Sequence, residues 1–215
     1  MILSTGRGYV FVHIPKTGGT ALALALEARA MKDDILIGDT PKARRRRRRL
    51  QGVAARGRLW KHSTLADIEG LVPGEVLDGL FAFTLVRNPW DRAVSYYHWL
   101  RGQSFSHPAV TLARDLAFEG FVTHAQTRAS FRAHPAEAYM RRADGREQCD
   151  AYIRIEHFAE DAAPLVRHLG FDPVLPVANV SARGRDYRAY YSATAADAVA
   201  ESCARDIARF GYVFE

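Results

Sequence analysis

The stretch Tyr9-Val10-Phe11-Val12-His13-Ile14-Pro15-Lys16-Thr17-Gly18-Gly19-Thr20 decides the fold of this 215-residue chain. Its first six residues are branched, aromatic or otherwise mostly apolar, which is typical of a strand buried in a parallel sheet, and Pro15 ends that strand. Gly18 and Gly19 permit a tight turn, and the following alanine- and leucine-rich run predicts a helix over 18–30. Backbone amides and the positive end of the helix dipole then meet at one point. The pattern predicts a site for phosphate or sulfate.

The order of residues in this turn differs from that of a Walker A loop. A Walker A loop reads Gly-x-x-x-x-Gly-Lys-Ser/Thr, with the lysine after the second glycine and a hydroxyl beside it that holds magnesium. Here Lys16 precedes both glycines. We therefore expect its ammonium at the start of the turn, where it reaches a bridging or leaving oxygen without an obligatory metal. The alternative is a plain strand-to-helix turn with an exposed lysine.

A second strand is predicted over 80–86, and Arg87 follows it directly. Pro89 suits the first turn of a helix predicted over 90–101. An arginine at the carboxyl end of a strand and a serine two turns into the next helix, Ser95, can converge on one phosphate. In the alternative interpretation Arg87 pairs with a carboxylate and Ser95 only fills space.

Together the two segments resemble the paired signatures of sulfotransferases that use 3′-phosphoadenosine-5′-phosphosulfate (PAPS). Residues 15–20 are similar to the family's 5′-phosphosulfate loop, and residues 87–95 are similar to its 3′-phosphate motif. The chain most resembles the branch that contains the Golgi carbohydrate sulfotransferases and many bacterial relatives, and we expect a bacterial member. Weaker resemblance, which extends over most of the chain, continues through 156–161, 179–181 and 206–214.

The resemblance implies a role for each residue of the two motifs. Lys16 would stabilise charge on the leaving oxygen, the amides of residues 17–20 with the hydroxyls of Thr17 and Thr20 would hold the 5′-phosphate, and Arg87 with Ser95 would hold the 3′-phosphate. A basic loop over 179–188 resembles a family loop that closes over the nucleotide, although it also reads as an exposed loop before a helix. The implied PAPS-binding residues are Pro15, Lys16, Thr17, Gly18, Gly19, Thr20, Arg87, Ser95, Arg183 and Tyr187.

The acceptor must lose a proton, which requires a base close to the sulfur. His62, in Trp60-Lys61-His62-Ser63-Thr64, lies between the two phosphate motifs in a segment that resembles one where some family members carry a catalytic histidine. We expect His62 to be this base, although a structural role, an acceptor contact or a carboxylate base instead remain open alternatives. Alternation along the first strand predicts that His13 is buried.

Length and composition favour one domain over 1–215, with 48% hydrophobic residues and no apolar run of about twenty. The first predicted strand begins almost at Met1, so a cytoplasmic bacterial protein, or a trimmed one, is expected. Cys149 and Cys203 make a disulfide framework unexpected but allow one bridge, and no Cys and His cluster has metal-ligand spacing.

The net charge of +6 favours an anionic ligand. Six consecutive arginines occupy positions 44–49. They predict a solvated segment, either mobile or on the face of a helix, and the alternative is a patch that attracts an anionic donor or acceptor.

Strands that alternate with helices predict an α/β fold, with a P-loop-like, mostly parallel central sheet flanked by helices on both faces. Ligands of such sheets bind beyond the carboxyl ends of the strands, where both phosphate motifs fall. The remaining predicted elements are an irregular basic stretch (38–58), a helix (65–69), a helical middle (109–142), a strand (151–155), a helix (158–169) and a closing helix (194–209).

These observations predict a sulfotransferase that moves a sulfuryl group from PAPS to a hydroxyl, or less often an amine, of a carbohydrate or small metabolite. The product nucleotide would be adenosine 3′,5′-bisphosphate, with no metal requirement, no nucleic-acid partner and no membrane span. Two alternatives are a P-loop-type nucleotide kinase and a non-catalytic protein that binds sulfated or phosphorylated polyanions on the same fold. The sequence does not predict the acceptor or the oligomeric state.

Overall fold

A computed structural model describes residues 1–176, 184 and 186–215 of the chain. These residues divide into two compact units, one built from 1–86 and 136–176 and the other from 87–135, 184 and 186–215. The first unit contains the sheet and the second is helical. The expectation of a single domain over 1–215 stays a prediction.

The elements of both units are short. The strands are β1 (Ile2–Ser4), β2 (Tyr9–Val12), β3 (Ile35–Leu36), β4 (Phe81–Val86) and β5 (Ala151–Arg154). The helices are α1 (Gly19–Ala28), α2 (Pro41–Arg46), α3 (Gly74–Asp78), α4 (Pro89–Arg101), α5 (Pro108–Asp115), α6 (Phe118–Thr123), α7 (Ala125–Ala133), α8 (Ala136–Tyr139), α9 (Phe158–Asp161), α10 (Ala163–Leu169), α11 (Ala193–Ser202) and α12 (Ala204–Phe210). Three 3₁₀ helices cover Arg47–Leu50, Ile155–His157 and Tyr187–Tyr190.

The five strands form one mixed sheet in the order β3-β1-β2-β4-β5. β4 runs parallel to both β2 and β5, whereas β1 is antiparallel to both β2 and β3. The prediction of a mostly parallel sheet is therefore wrong, although the α/β class is confirmed. The physical reason is the four-residue connection between Ser4 and Tyr9, which closes with a bond from the Gly8 amide to the Thr5 carbonyl. Such a connection is too short for a parallel crossover.

Both faces of the central strands are buried. On one face, Phe11 and Phe83 are paired neighbours whose rings lie 5.4 Å apart, and both side chains are fully buried. Helices α1 and α10 add Leu22, Leu26 and Leu165 to the same cluster. This packing fixes the carboxyl end of β2 and the start of α1, which flank the candidate site.

Four predicted elements differ from the structure. Residues 65–69 form turns rather than a helix, because the amides of Leu65 and Ala66 donate to the carbonyls of Tyr139 and Arg141 instead of to a helical partner. The predicted helix over 158–169 is divided at Ala162, where Pro164 opens the first turn of α10. The closing helix divides at Cys203 into α11 and α12, and the basic stretch contains α2 and a 3₁₀ turn.

The helical unit has its own core. Trp90 of α4 is buried, its indole nitrogen donates to the Ala196 carbonyl, and its own carbonyl accepts from the Tyr191 hydroxyl. The Ser192 hydroxyl caps α11 by accepting from the Ala195 amide. Long-range bonds of this kind hold α4 against the carboxyl-terminal helices within this unit.

Both cysteines are free thiols. Burial raises the pKa of Cys149 to about 12, and burial has the same effect on the pKa of Cys203. Within the described ranges, the helices are all too short or too polar to cross a lipid bilayer.

Candidate functional site

The predicted anion-binding turn connects β2 to α1. Lys16 has a φ of 67° and Gly18 has a φ of 83°, so both occupy the left-handed region. Lys16 is the one residue other than glycine with a positive φ among the described positions, and such strain is found most often at functional sites. The chain thus makes a sharp turn with Lys16 near its start.

Close packing requires glycine at positions 18 and 19, and the left-handed backbone angle requires it at position 18 as well. A Cβ at Gly18 would lie 2.1 Å from Cδ1 of Ile155, and a Cβ at Gly19 would lie 2.2 Å from Cδ2 of His13. These separations are far below a van der Waals contact, so neither position accepts a side chain unless a neighbour moves. The turn backbone is therefore pressed against an isoleucine on one side and a histidine ring on the other.

Helix α1 begins at Gly19 and runs for ten residues. Its N-cap, Gly18, supplies no side-chain hydrogen bond, and no acidic residue lies in its first turn. The first amides are thus left without a capping side chain, and the dipole adds positive potential at the same end. This arrangement suits an anion.

Thr17 is part of the turn itself. Its buried hydroxyl donates to the Ile14 carbonyl at 2.9 Å and thereby closes the loop. The single O–H donor of this side chain serves the loop here, and the expectation that Thr17 also holds a phosphate stays a prediction. Thr20 lies in the first turn of α1 and is partly exposed.

His62 lies against the end of β2. Its Nδ1 is 2.7 Å from the His13 carbonyl oxygen, and the two imidazole rings meet edge to face with centroids 4.7 Å apart. Because a carbonyl oxygen only accepts, Nδ1 of His62 carries the proton, and in the neutral ring Nε2 is the basic nitrogen. The contact joins residues 49 positions apart and brings His62 to the segment that leads into Lys16.

Several positive groups surround the buried His13. Its side chain is only 7% exposed, as the alternation along the strand predicts. Burial holds the pKa of His13 well below its ordinary value, and the charges of His62, Lys61 and Lys16 act in the same direction. Lys16, Lys61 and His62 therefore all disfavour the charged form of His13.

Lys61 forms an ion pair with Asp39 at 2.9 Å. The hydrogen bond from Lys61 is the main cause that lowers the pKa of Asp39, and the charges of Arg44 and His62 contribute to the same shift. The sequence pattern does not predict the ion pair between Lys61 and Asp39, because the two residues are 22 positions apart. The one available indication that Lys61 belongs to the site was its position next to His62.

Arg87 and Ser95 belong to the helical unit. Nε and Nη2 of Arg87 lie 2.8 and 2.6 Å from Oδ2 of Asp91, so Arg87 makes the carboxylate pair that the sequence left as its alternative role. Asn88 caps α4 by accepting from the Trp90 amide. Ser95 is buried in α4.

Two further predicted residues lie near the carboxyl-terminal end of the chain. The Tyr187 hydroxyl donates to the Glu215 carbonyl at 2.6 Å and accepts from the Asn88 amide nitrogen at 3.4 Å. Arg183 lies outside the described residues, as does the segment 179–181. Among the described side chains, no group of three or more His, Cys, Asp or Glu is placed to hold a metal ion.

A mixed sheet with a glycine-rich turn into a helix is typical of α/β proteins with an anion-binding site, and comparison with known families is more specific. The chain matches the Sulfotransferase family over residues 2–209. It therefore belongs to the sulfotransferase family, which confirms the sequence resemblance. No curated protein and no solved structure matches it.

Replacing Gly18 with alanine should destabilise the first unit. The left-handed backbone and the clash with Ile155 together should lower the free energy of unfolding by about 2–4 kcal/mol. The double variant Gly18→Ala with Ile155→Val lacks the clashing Cδ1 and should recover part of that loss in urea unfolding. Gly74→Ala, where a Cβ meets nothing within 4 Å, is the matched control and should be neutral or slightly stabilising. Equal losses for Gly18→Ala and Gly74→Ala would contradict the packing argument.

The buried His13 should make stability depend on pH. In the unfolded chain this imidazole takes up a proton near its ordinary pKa of about 6.5, whereas folded His13 stays neutral. The free energy of unfolding should therefore fall as the pH drops below that value, at up to about 1.4 kcal/mol per pH unit. Urea unfolding at a series of pH values should show a shallower slope for His13→Asn than for the wild type. An unchanged slope would argue against a buried neutral imidazole.

Proposed function

We propose that this protein transfers a sulfuryl group from PAPS to a hydroxyl, or less often an amine, of a carbohydrate or small metabolite. Membership of the sulfotransferase family supports sulfuryl transfer in general. The observation that carries the proposal is the turn itself, with Lys16 near its start, an uncapped helix at its end and His62 bonded to the strand before it. When bound, PAPS supplies the sulfuryl group, and adenosine 3′,5′-bisphosphate is the other product.

The residues of the turn fit the phosphosulfate end of this donor. The amides of residues 17–20 and the Thr20 hydroxyl form a donor set without an opposing carboxylate in the first turn of α1. Phosphate groups accept hydrogen bonds from backbone amides and are stabilised by a helix N-terminus. Close packing against Ile155 and His13 fixes these amides in place before any ligand binds.

Lys16 is proposed to stabilise the charge that develops on the leaving oxygen. Sulfuryl transfer resembles phosphoryl transfer, since catalysis depends on alignment of the two oxygens and on stabilisation of the moving charge. A lysine that precedes the glycines reaches this oxygen from the start of the turn. Its constrained left-handed backbone restricts where the ammonium can lie.

His62 is proposed to be the general base. Its Nδ1 proton is held by the His13 carbonyl, so the neutral ring has Nε2 as its proton acceptor. His62 would take the proton of the acceptor hydroxyl as the oxygen attacks sulfur.

The 3′-phosphate is proposed to bind Arg87 and Ser95, with Tyr187 and Arg183 as further nucleotide contacts. Arg87 directly follows β4, the strand that is parallel and adjacent to β2 in the sheet. Asp91 engages two of the five N–H donors of Arg87 and thereby orients the guanidinium plane. A fixed guanidinium makes better forked contacts with a phosphate.

Donor identity can be tested by ligand-induced thermal stabilisation. Adenosine 3′,5′-bisphosphate should raise the melting temperature more than ATP with Mg²⁺, because a ligand at a hundred times its Kd adds about 2.7 kcal/mol. Arg87→Gln should weaken bisphosphate binding by roughly ten- to a hundredfold, the effect of one charge-assisted contact. Arg128→Gln, which also removes an ion-paired arginine of the helical unit, is the control and should bind normally. A preference for ATP with Mg²⁺ would instead indicate a kinase.

Catalysis can be separated from binding with two conservative variants. Lys16→Met and His62→Asn should each lower the rate of transfer of labelled sulfate by about a hundredfold or more. Both should still be stabilised by adenosine 3′,5′-bisphosphate, although Lys16→Met less than the wild type. Lys32→Met, an exposed lysine that follows α1, is the control and should keep full activity. Undiminished turnover of either variant would remove that residue from the mechanism.

A further inference from the structure

His62 lies in a closed loop formed by residues 57–67. The Gly57 amide donates to the Asp67 carbonyl at 2.9 Å, so the two ends of the loop are joined. A Cβ at Gly57 would lie 2.9 Å from Cα of Asp67, which shows how closely the two ends approach each other. Compact loops with adjacent ends are packed by their own side chains and frequently carry functional residues. The side chain that fills this loop therefore bears on the placement of His62.

Ser63 is the buried centre of the loop, with 0% of its surface exposed. Its hydroxyl oxygen accepts from the Trp60 amide at 2.9 Å, and its one proton lies between the carbonyls of Arg58 and Trp60, at 2.9 and 2.8 Å. The Ser63 amide also donates to the Trp60 carbonyl at 3.0 Å. The turn that begins at Trp60 and ends at Ser63 has Lys61 and His62 at its two central positions.

The backbone of the turn depends on this hydroxyl. An alanine at position 63 would remove the group that accepts from the Trp60 amide and donates to the Arg58 carbonyl. Buried backbone groups that lose a partner are costly, so the turn would rearrange to find new ones. The closed form of the turn is therefore set by one buried side chain.

The ring of His62 is held by groups that this turn brings together. Nδ1 lies 2.7 Å from the His13 carbonyl oxygen, and the His13 ring meets the His62 ring edge to face at 4.7 Å. On the turn itself, the Trp60 ring meets the His62 ring edge to face at 5.0 Å. Because Trp60 and His62 belong to the turn that Ser63 closes, a change at Ser63 reaches both the ring and its aromatic neighbour.

A second attachment of the turn lies at the surface. Nζ of Lys61 is 2.9 Å from Oδ2 of Asp39, but the two side chains are 35% and 65% exposed. Ion pairs between exposed groups contribute little to stability, since water and salt screen them. The buried hydroxyl of Ser63 is therefore the stronger of the two attachments.

We propose that Ser63 is a positioning residue for the candidate base. Its hydroxyl holds the turn in the form that bonds Nδ1 of His62 to the His13 carbonyl and leaves Nε2 as the proton acceptor. This inference rests on the proposed function, since it concerns the base of the same reaction. A displacement of about 1 Å at a reacting group lowers a rate by about a hundredfold, so the exact form of this turn decides how well His62 works.

The tautomer of His62 tests the proposal without turnover. Nitrogen NMR of the imidazole rings at about pH 8, where the ring of His62 is neutral, should show its proton on Nδ1 in the wild type. The signals are assigned by comparison with His62→Asn. Ser63→Ala should give an exchanging mixture of both tautomers, because the bond to the His13 carbonyl is loosened. A wild-type ring with its proton on Nε2, or a Ser63→Ala spectrum identical to the wild type, would overturn the proposal.

Ser202→Ala is the matched control. Ser202 is 4% exposed and its hydroxyl donates to the Ala198 carbonyl at 2.6 Å, so this variant also removes a buried, hydrogen-bonded hydroxyl, but from the helical unit. Both alanine variants should lose stability in urea, and only Ser63→Ala should alter the His62 tautomer. If Ser63→Ala does not fold, Ser63→Cys takes its place and should show the same change to a smaller degree, since a thiol is a weaker donor. An unchanged tautomer in Ser63→Cys would then count against the proposal.

Kinetics separate placement of the base from binding of the donor. Labelled PAPS is used with the best acceptor from a panel of monosaccharides and phenols. Ser63→Ala should lower kcat by roughly ten- to a hundredfold and leave the Kd of adenosine 3′,5′-bisphosphate within about twofold of the wild type. Equal losses of kcat and of bisphosphate affinity would show that Ser63 supports the anion-binding turn instead, and would overturn the proposal. A wild type that neither binds the bisphosphate nor sulfates any acceptor would count against the proposed function, whereas the tautomer comparison does not depend on turnover.

Discussion

The absence of side chains at positions 18 and 19 is the constraint on which the candidate site depends. Ile155 occupies the space beside Gly18, and the His13 ring occupies the space beside Gly19. This double contact fixes where β2 ends and where α1 begins, and therefore where its first amides point. It also holds the His13 backbone, whose carbonyl oxygen positions His62. The direction of the first amides of α1 and the orientation of His62 are thus set by the same few atoms of close packing.

Much of the fold could be predicted from local sequence patterns. The apolar runs that form β2, β4 and β5 are buried strands, and α1 and α4 begin within a residue of their predicted starts. Local patterns did not predict the elements whose structure depends on distant contacts. Strand β1 has three residues and β3 has two, so neither shows a periodicity, yet their antiparallel pairing makes the sheet mixed. Residues 65–69 look helical, but Leu65 and Ala66 donate to residues 139 and 141. Single-sequence patterns do not contain such pairings.

The candidate site shows the same division between local and distant information. Lys16, Gly18 and Gly19 form one local motif that carried the resemblance to sulfotransferases, and membership of that family is confirmed. The partners that orient the site were not predictable, because they come from elsewhere in the chain: Ile155 lies 137 positions after Gly18, and His62 bonds to a carbonyl 49 positions earlier. Asp91, four residues from Arg87 on the same helix, was close enough to be anticipated only as a generic carboxylate.

The two half-buried thiols have a practical consequence for chemistry at the surface. With a pKa of about 12, Cys149 and Cys203 are almost entirely protonated at neutral pH, and a protonated thiol is a poor nucleophile. Maleimides and mild oxidants should therefore modify the native protein slowly. A cysteine introduced at an exposed position would outcompete both natural thiols, so a dye or spin label could be attached at one chosen point without first removing them.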